Sequence, residues 1–132
     1  MADRNDRLTA EVRALRERVV GVTDVVVASA DGLLITADTG DAESADSLAA
    51  LTAAALGVAR RAGSLTGKGL LHHTTARYTD GFLVAQAVGE MALLGVLGDA
   101  GLDVRRLHLE AQRSADRIGD LLTADSPVAA AN

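Results

Sequence analysis

An α+β domain is the architecture this sequence predicts, and three features predict it. Stretches near both ends and one long stretch in the middle repeat their apolar residues at the helical period. Between them lie five short aliphatic or β-branched runs, grouped as two and then three. Within each group the runs are joined by tight Asp-Gly or Gly-Glu turns, which suit antiparallel neighbours. The order is therefore α-ββ-α-βββ-α, one five-stranded antiparallel sheet with helices on its faces. The 132 residues make a single domain, placed at 6–123, with 1–5 and 124–132 as flexible ends.

The first helix is predicted over Asp6 to Val20. Leu8, Val12, Leu15 and Val19 recur at i, i+4, i+7 and i+11, while Arg7, Glu11, Arg13 and Glu17 cover other sides. Gly21 stops it. Thr23–Ser29 and Leu33–Asp38 then form a hairpin about Ala30-Asp31-Gly32. Consecutive Val25, Val26 and Val27 place the first of these strands inside the sheet, buried on both faces. An acidic loop, Thr39 to Glu43, leads into a long helix from Ser44 to Gly63, whose last turn carries Arg60 and Arg61 as the helix dipole favours. Leu70–Tyr78 is polar on both faces, which suits a sheet edge or an interface. Phe82–Val88 and Met91–Leu97 follow, with turns at Thr79-Asp80-Gly81 and Gly89-Glu90. A last helix, from Leu102 or Asp103 to Leu122, gathers Leu107, Ala111, Ala115, Ile118 and Leu122 on one face.

The long helix has almost no wet side. Leu48, Leu51, Ala55, Val58 and Ala62 form one stripe; Ala45, Ala49, Thr52, Leu56 and Ala59 form a second. A helix apolar nearly all round is buried on several sides, and in a chain this short a partner chain is the expected cover. Bulk assigns Leu48, Leu51 and Val58 to the helix's own sheet. Ala49, Ala53 and Gly57 are small enough to admit a second backbone, so Ala53→Arg or Gly57→Arg is expected to split a dimer of folded chains.

Composition removes several classes of function. A net charge of −5 and only two aromatics, Tyr78 and Phe82, leave neither a basic footprint nor a stacking platform for nucleic acid. With no cysteine there is no thiol nucleophile or thiolate metal site. The charged N-terminus lacks a signal-peptide core, and the longest uncharged run, Ser47–Ala59, is too short to span a bilayer. The expectation is a cytoplasmic protein without membrane insertion.

The motifs that suggest chemistry are incomplete. Gly63-Ser-Leu-Thr-Gly67-Lys68-Gly69 looks like a phosphate-binding loop but has three residues between glycines, lacks the Ser or Thr after lysine, and follows a helix. His72 and His73 are adjacent in a strand and point to opposite faces, and His108 stands apart in the last helix. Asp38, Asp41, Glu43 and Asp46 miss calcium-loop spacing and suit helix capping. Arg60-Arg61 could act as a finger in a partner's nucleotide site, but complementing the helix dipole accounts for the pair. No Ser/His/Asp set is evident around Ser29 or Ser64. The expectation is a chain with no catalytic residues, no cofactor and no metal.

Five stretches carry a resemblance. Val22–Leu33 (VTDVVVASADGL), the small-residue helix ending Leu56-Gly57-Val58-Ala59-Arg60-Arg61, and Arg77–Val84 (RYTDGFLV) come first; Ala92–Leu97 (ALLGVL) and Arg106–Ala111 (RLHLEA) complete it. In this order and spacing the chain, from Leu8 to Leu122, resembles the roadblock / dynein-light-chain domain family in its stand-alone bacterial form. The resemblance implies a profilin-like or longin-like five-stranded sheet. It also implies a two-fold homodimer made by the long helix and the third strand, joining sheets edge to edge. Relatives are adaptors or regulators of Ras-like small GTPases, including stimulators of GTP hydrolysis that supply no arginine, motor light chains and scaffold subunits. The interface is accordingly expected at Ala49, Thr52, Ala53, Leu56, Gly57, Arg60, Leu71, His73 and Thr75. The alternatives are a small-molecule-sensing domain and a purely structural scaffold. The polar third strand, with His72, His73, Thr74 and Thr75, departs from the family pattern.

Overall fold

In the computed structural model, which describes residues 3–124, the chain enters its first helix at once. Asp3 accepts a hydrogen bond from the Asp6 N–H at 2.9 Å and caps α1 (Arg4–Arg18), so Asn5 is already helical. The helix ends two residues before the predicted stop, with Val19 in extended conformation. Strands β1 (Val22–Ser29) and β2 (Leu34–Asp38) form the expected hairpin. Helix α2 (Ala42–Leu65) is followed by β3 (His73–Tyr78), β4 (Gly81–Val88) and β5 (Ala92–Asp99), and α3 (Val104–Thr123) closes the order. The sheet is five-stranded and antiparallel, in the order β2-β1-β5-β4-β3. The third strand is shorter than its sequence pattern, because residues 70–72 run outside strand geometry.

Helices α1 and α3 lie together on one face. Leu8, Val12 and Leu15 of α1 and Leu107, Ala111, Ala115 and Ile118 of α3 meet Val25, Val27, Val84, Leu94 and Val96 of the sheet. Because strand side chains alternate, Val26 and Ala28 point the other way, and there α2 covers them alone. The valine run is buried on both faces, as its composition predicts.

The two edges of the sheet differ. The β2 edge is five residues long, with a register shift opposite Val27 and Ala28. It is tied to α1 by Arg16–Asp38 at 3.4 Å and by the Thr9 and Thr36 hydroxyls at 3.1 Å. The β3 edge carries no bulge, and all its residues but Thr74 are exposed.

The seating of α2 is decided by size. Beneath it lie Ala28, Ala85 and Leu93, and the helix sets Ala45, Ala49, Thr52 and Leu56 against them. A Cβ at Gly95 would come within 2.9 Å of both Thr52 Oγ1 and Val26 Cγ2, so this position has room for no side chain. Thr52 satisfies its hydroxyl by donating to the Leu48 carbonyl at 2.7 Å, which makes a polar residue tolerable at zero exposure. The expectation that Leu48, Leu51 and Val58 anchor the helix is corrected by this contact for Leu51 and Val58, whereas Leu48 is half-buried. Leu51 and Val58 are 65% and 71% exposed, because a close approach admits small residues and excludes large ones.

Candidate functional site

The long helix begins where Asp41 accepts from the Ser44 N–H at 3.3 Å and from its hydroxyl at 2.6 Å. That hydroxyl holds the Asp41 carboxyl below its usual range. The stop is not Gly63. The helix runs on to Leu65, and the N–H groups of Gly67 and Lys68 return to the carbonyls of Ser64 and Gly63 at 3.3 and 2.9 Å. This Schellman turn needs a left-handed residue, and Gly67 supplies it at φ 69°. The same bonds dispose of the phosphate-loop likeness: the amides that would cradle an anion already cap a helix.

Along the outer side of α2, Leu51, Val58 and Leu65 repeat every seven residues at 65%, 71% and 88% exposure. Ala54 and Ala62 lie between them and are exposed too. On the sheet face that α2 shares, Leu83 and Leu97, register partners across β4 and β5, remain only half-buried. Beyond them β3 presents one side of its backbone unpaired. An apolar helix stripe and an open strand edge therefore stand beside one another, and together they form the candidate site.

The residues expected at an interface divide sharply. Ala49, Thr52 and Leu56 have zero exposure within their own chain and present nothing to another. Ala53 packs partly against the same inner cluster, and its Cβ lies over Gly32. Gly57 is half-buried with open space around its missing side chain. Arg60 donates to the Gly89 carbonyl at 3.3 Å, tying the helix to the β4–β5 turn. Leu71 packs on the inner cluster, whereas His73 and Thr75 are exposed on the edge strand. Missed as surface were Leu51, Val58 and Leu65. For Leu51 and Val58 the seven-residue spacing is the signal in the sequence, set against their bulk; Leu65 lies beyond the expected helix end at Gly63 and joins the stripe only because the helix runs on.

Among the described residues no three or more His, Cys, Asp or Glu converge as a metal would need. Asp38 meets Arg16, and Asp24 accepts from the Thr39 hydroxyl. Among them, too, no helix is long and apolar enough to cross a membrane. A cavity of about 760 Å³ opens beside the C-terminal end of α2, bordered by Arg60, Leu71, His72, Gln86, Glu90 and Gln112.

The family model for the Roadblock/LC7 domain matches residues 8–98. The chain belongs to the Roadblock/LC7 domain family. A solved Roadblock/LC7 domain from Streptomyces avermitilis is 26% identical, with a TM-score of 0.84 over 92% of this chain and 99% of that one. The gliding protein MglB from Thermus thermophilus superimposes with a TM-score of 0.82 at 14% identity, covering 92% of each chain. MglB from Myxococcus xanthus does so with 0.82 at 17%, over 94% of this chain and 93% of that one. These two share the fold. No curated protein matches the chain in sequence. Within this roadblock domain the matched region runs from α1 to the end of β5, so it includes both α2 and the β3 edge.

Proposed function

We propose that this roadblock domain is a non-enzymatic homodimeric adaptor that binds and regulates a Ras-like small GTPase. The observation that carries the dimer is the uncovered stripe of Leu51, Val58 and Leu65 beside the open β3 edge. Large apolar side chains at this exposure on one helix face call for cover. The occupant that fits is a second copy, because a seven-residue repeat and an antiparallel edge are each self-complementary about a two-fold axis. The GTPase rests on membership of the Roadblock/LC7 family, taken with the GTPase-regulating role that the resemblance implies for relatives.

Two experiments test this reading in turn. Leu51→Arg and Val58→Arg are expected to reduce the mass seen by light scattering from dimer to monomer, with the circular dichroism spectrum unchanged. Variants that stay dimeric, or a wild type that is monomeric, reject the interface. Capture of a GTP-loaded Ras-like GTPase, followed by a turnover assay, then separates regulation from scaffolding alone.

A second reading has one observation in its favour, the cavity at the end of α2. A domain sensing a small molecule there would melt at a higher temperature with its metabolite and be indifferent to a GTPase.

A further inference from the structure

Two histidines that the sequence keeps far apart meet at the open edge. The rings of His73, first residue of β3, and His108, in α3, stack with centroids 4.1 Å apart and planes 23° from parallel. Gln86, the register partner of His73 on β4, lies at the same place. Its amide orientation is set from a distance. Gln112 donates its Nε2 to Asp116 at 3.1 Å, so its oxygen faces Gln86 and accepts from Gln86 Nε2 at 3.0 Å. That leaves Gln86 Oε1 buried without a partner, and His108 Nδ1 is buried without one as well.

The charged surroundings are sparse and do not favour two protons. On β3, Arg77 shares the His73 face two alternations along, and exposed His72 precedes it in the chain. On α3, Arg105 stands one turn before His108, and Asp116, two turns beyond it, is engaged by Gln112. On β4 the facing residues are Val84 and Gln86, which carry no charge. Among the described residues neither histidine takes part in an ion pair. Parallel rings set their nitrogens side by side rather than converging on one point, which suits stacking and not shared metal ligation.

We infer that the His73–His108 stack is a proton-operated latch on the open sheet edge. Uncharged or singly charged, the stacked rings pin the start of β3 to α3. Doubly protonated, they repel across 4.1 Å and part, loosening the strand. The effect on assembly rests on the reading of β3 as the dimer edge; the titration of the pair does not.

The sign follows from His108. Burial first, and the charge of His73 second, hold its imidazole below the ordinary value. A base with a depressed folded pKa gives its full stabilisation above the unfolded value, about 6.5. That stabilisation drains away as the pH falls below this point, because the unfolded or opened state binds more protons.

Proton NMR of the imidazoles in the full chain, titrated from about pH 8 to about pH 5, tests the latch. His108 is expected to titrate below the ordinary imidazole value, and the protection of the β3 amides, measured against their intrinsic exchange rate at each pH, to fall as it does. In His73→Ala, which removes the neighbouring charge and uncovers the ring, the His108 curve should move up toward the ordinary imidazole value. In His73→Phe, which keeps an aromatic ring without a proton, the pH dependence of β3 protection should shrink to the part that burial of His108 alone supplies. A His108 that titrates at or above the ordinary imidazole value in the wild type, or β3 protection indifferent to pH once intrinsic exchange is divided out, overturns the proposal. Zinc that shifts both rings at neutral pH with a stoichiometric end point overturns it in favour of a metal site. Light scattering across the same range reads the dimer separately: dissociation toward acid supports the coupling to assembly. A chain monomeric at every pH overturns the interface reading and not the latch.

Discussion

Leu56→Ala is expected to lower the stability of the folded chain by about 2–5 kcal/mol, while Leu51→Ala, five residues earlier on the same helix, changes the isolated chain by less than about 0.5 kcal/mol. Both are leucines in α2, and both look like core residues in the sequence. Leu56 has zero exposure and packs with Ala28, Ala49, Ala85 and Leu93, so truncation leaves a void that small neighbours cannot fill. Leu51 points outward at 65% exposure and has little to lose in its own chain. Urea denaturation at a concentration low enough to dissociate a dimer would show the difference as a shift of midpoint without a change of slope. Equal losses would mean that α2 is rotated from the position described, and the outer stripe with it.

The second large effect lies on the opposite face, where α1 is clasped to α3 by charge. Glu11 accepts from the Ser114 hydroxyl at 2.9 Å, from Arg117 Nε at 2.9 Å and from Arg18 at 3.3 Å. Glu110 meets Arg18 at 3.6 Å and Arg113 at 3.5 Å, so Arg18 links the two carboxylates. The side chain of Glu11 is only 13% exposed, whereas the arginines reach water and can be rehydrated. Glu11→Ala is therefore expected to cost about 1.5–3 kcal/mol, the range for hydrogen bonds to a charged group. That exceeds the roughly 0–1 kcal/mol of a surface pair, because Ser114 is fully buried and loses its acceptor. Glu17→Ala, exposed on the same helix, should change little. Salt should narrow the gap between wild type and Glu11→Ala, since part of the loss is screened charge. A gap that stays the same at high salt would assign the loss to Ser114 alone.

The fold was readable because each element carries its own period. The Leu8-Val12-Leu15 stripe, the valine run and the Asp-Gly turns each act within a few residues, and the order α-ββ-α-βββ-α follows from them. The rotation of α2 was not readable in the same way. Two apolar stripes were present, and choosing between them required knowing what lay underneath. Gly95 and Ala85, which allow the helix to approach so closely, are distant in the chain and were unremarkable within their own strands. The helix stop was misplaced for a related reason: Gly63 and Gly67 both fit the sequence rule, and only the bonds from Gly67 and Lys68 distinguish them. The stacked histidines could not be read at all, because His73 and His108 are joined by the packing of α3 over the sheet and by nothing local.

The unequal treatment of the two sheet edges decides how large an assembly can grow. A sheet with both borders available could add strands without limit and become a fibre. Here the β2 border is short, out of register at one point and tied to α1 by side chains, which makes β3 the better acceptor of a neighbour. In the proposed dimer, joining two β3 borders about a two-fold axis uses up that acceptor on each molecule. Growth through the β3 border then ends at two by geometry, and the β2 features weigh against a third copy.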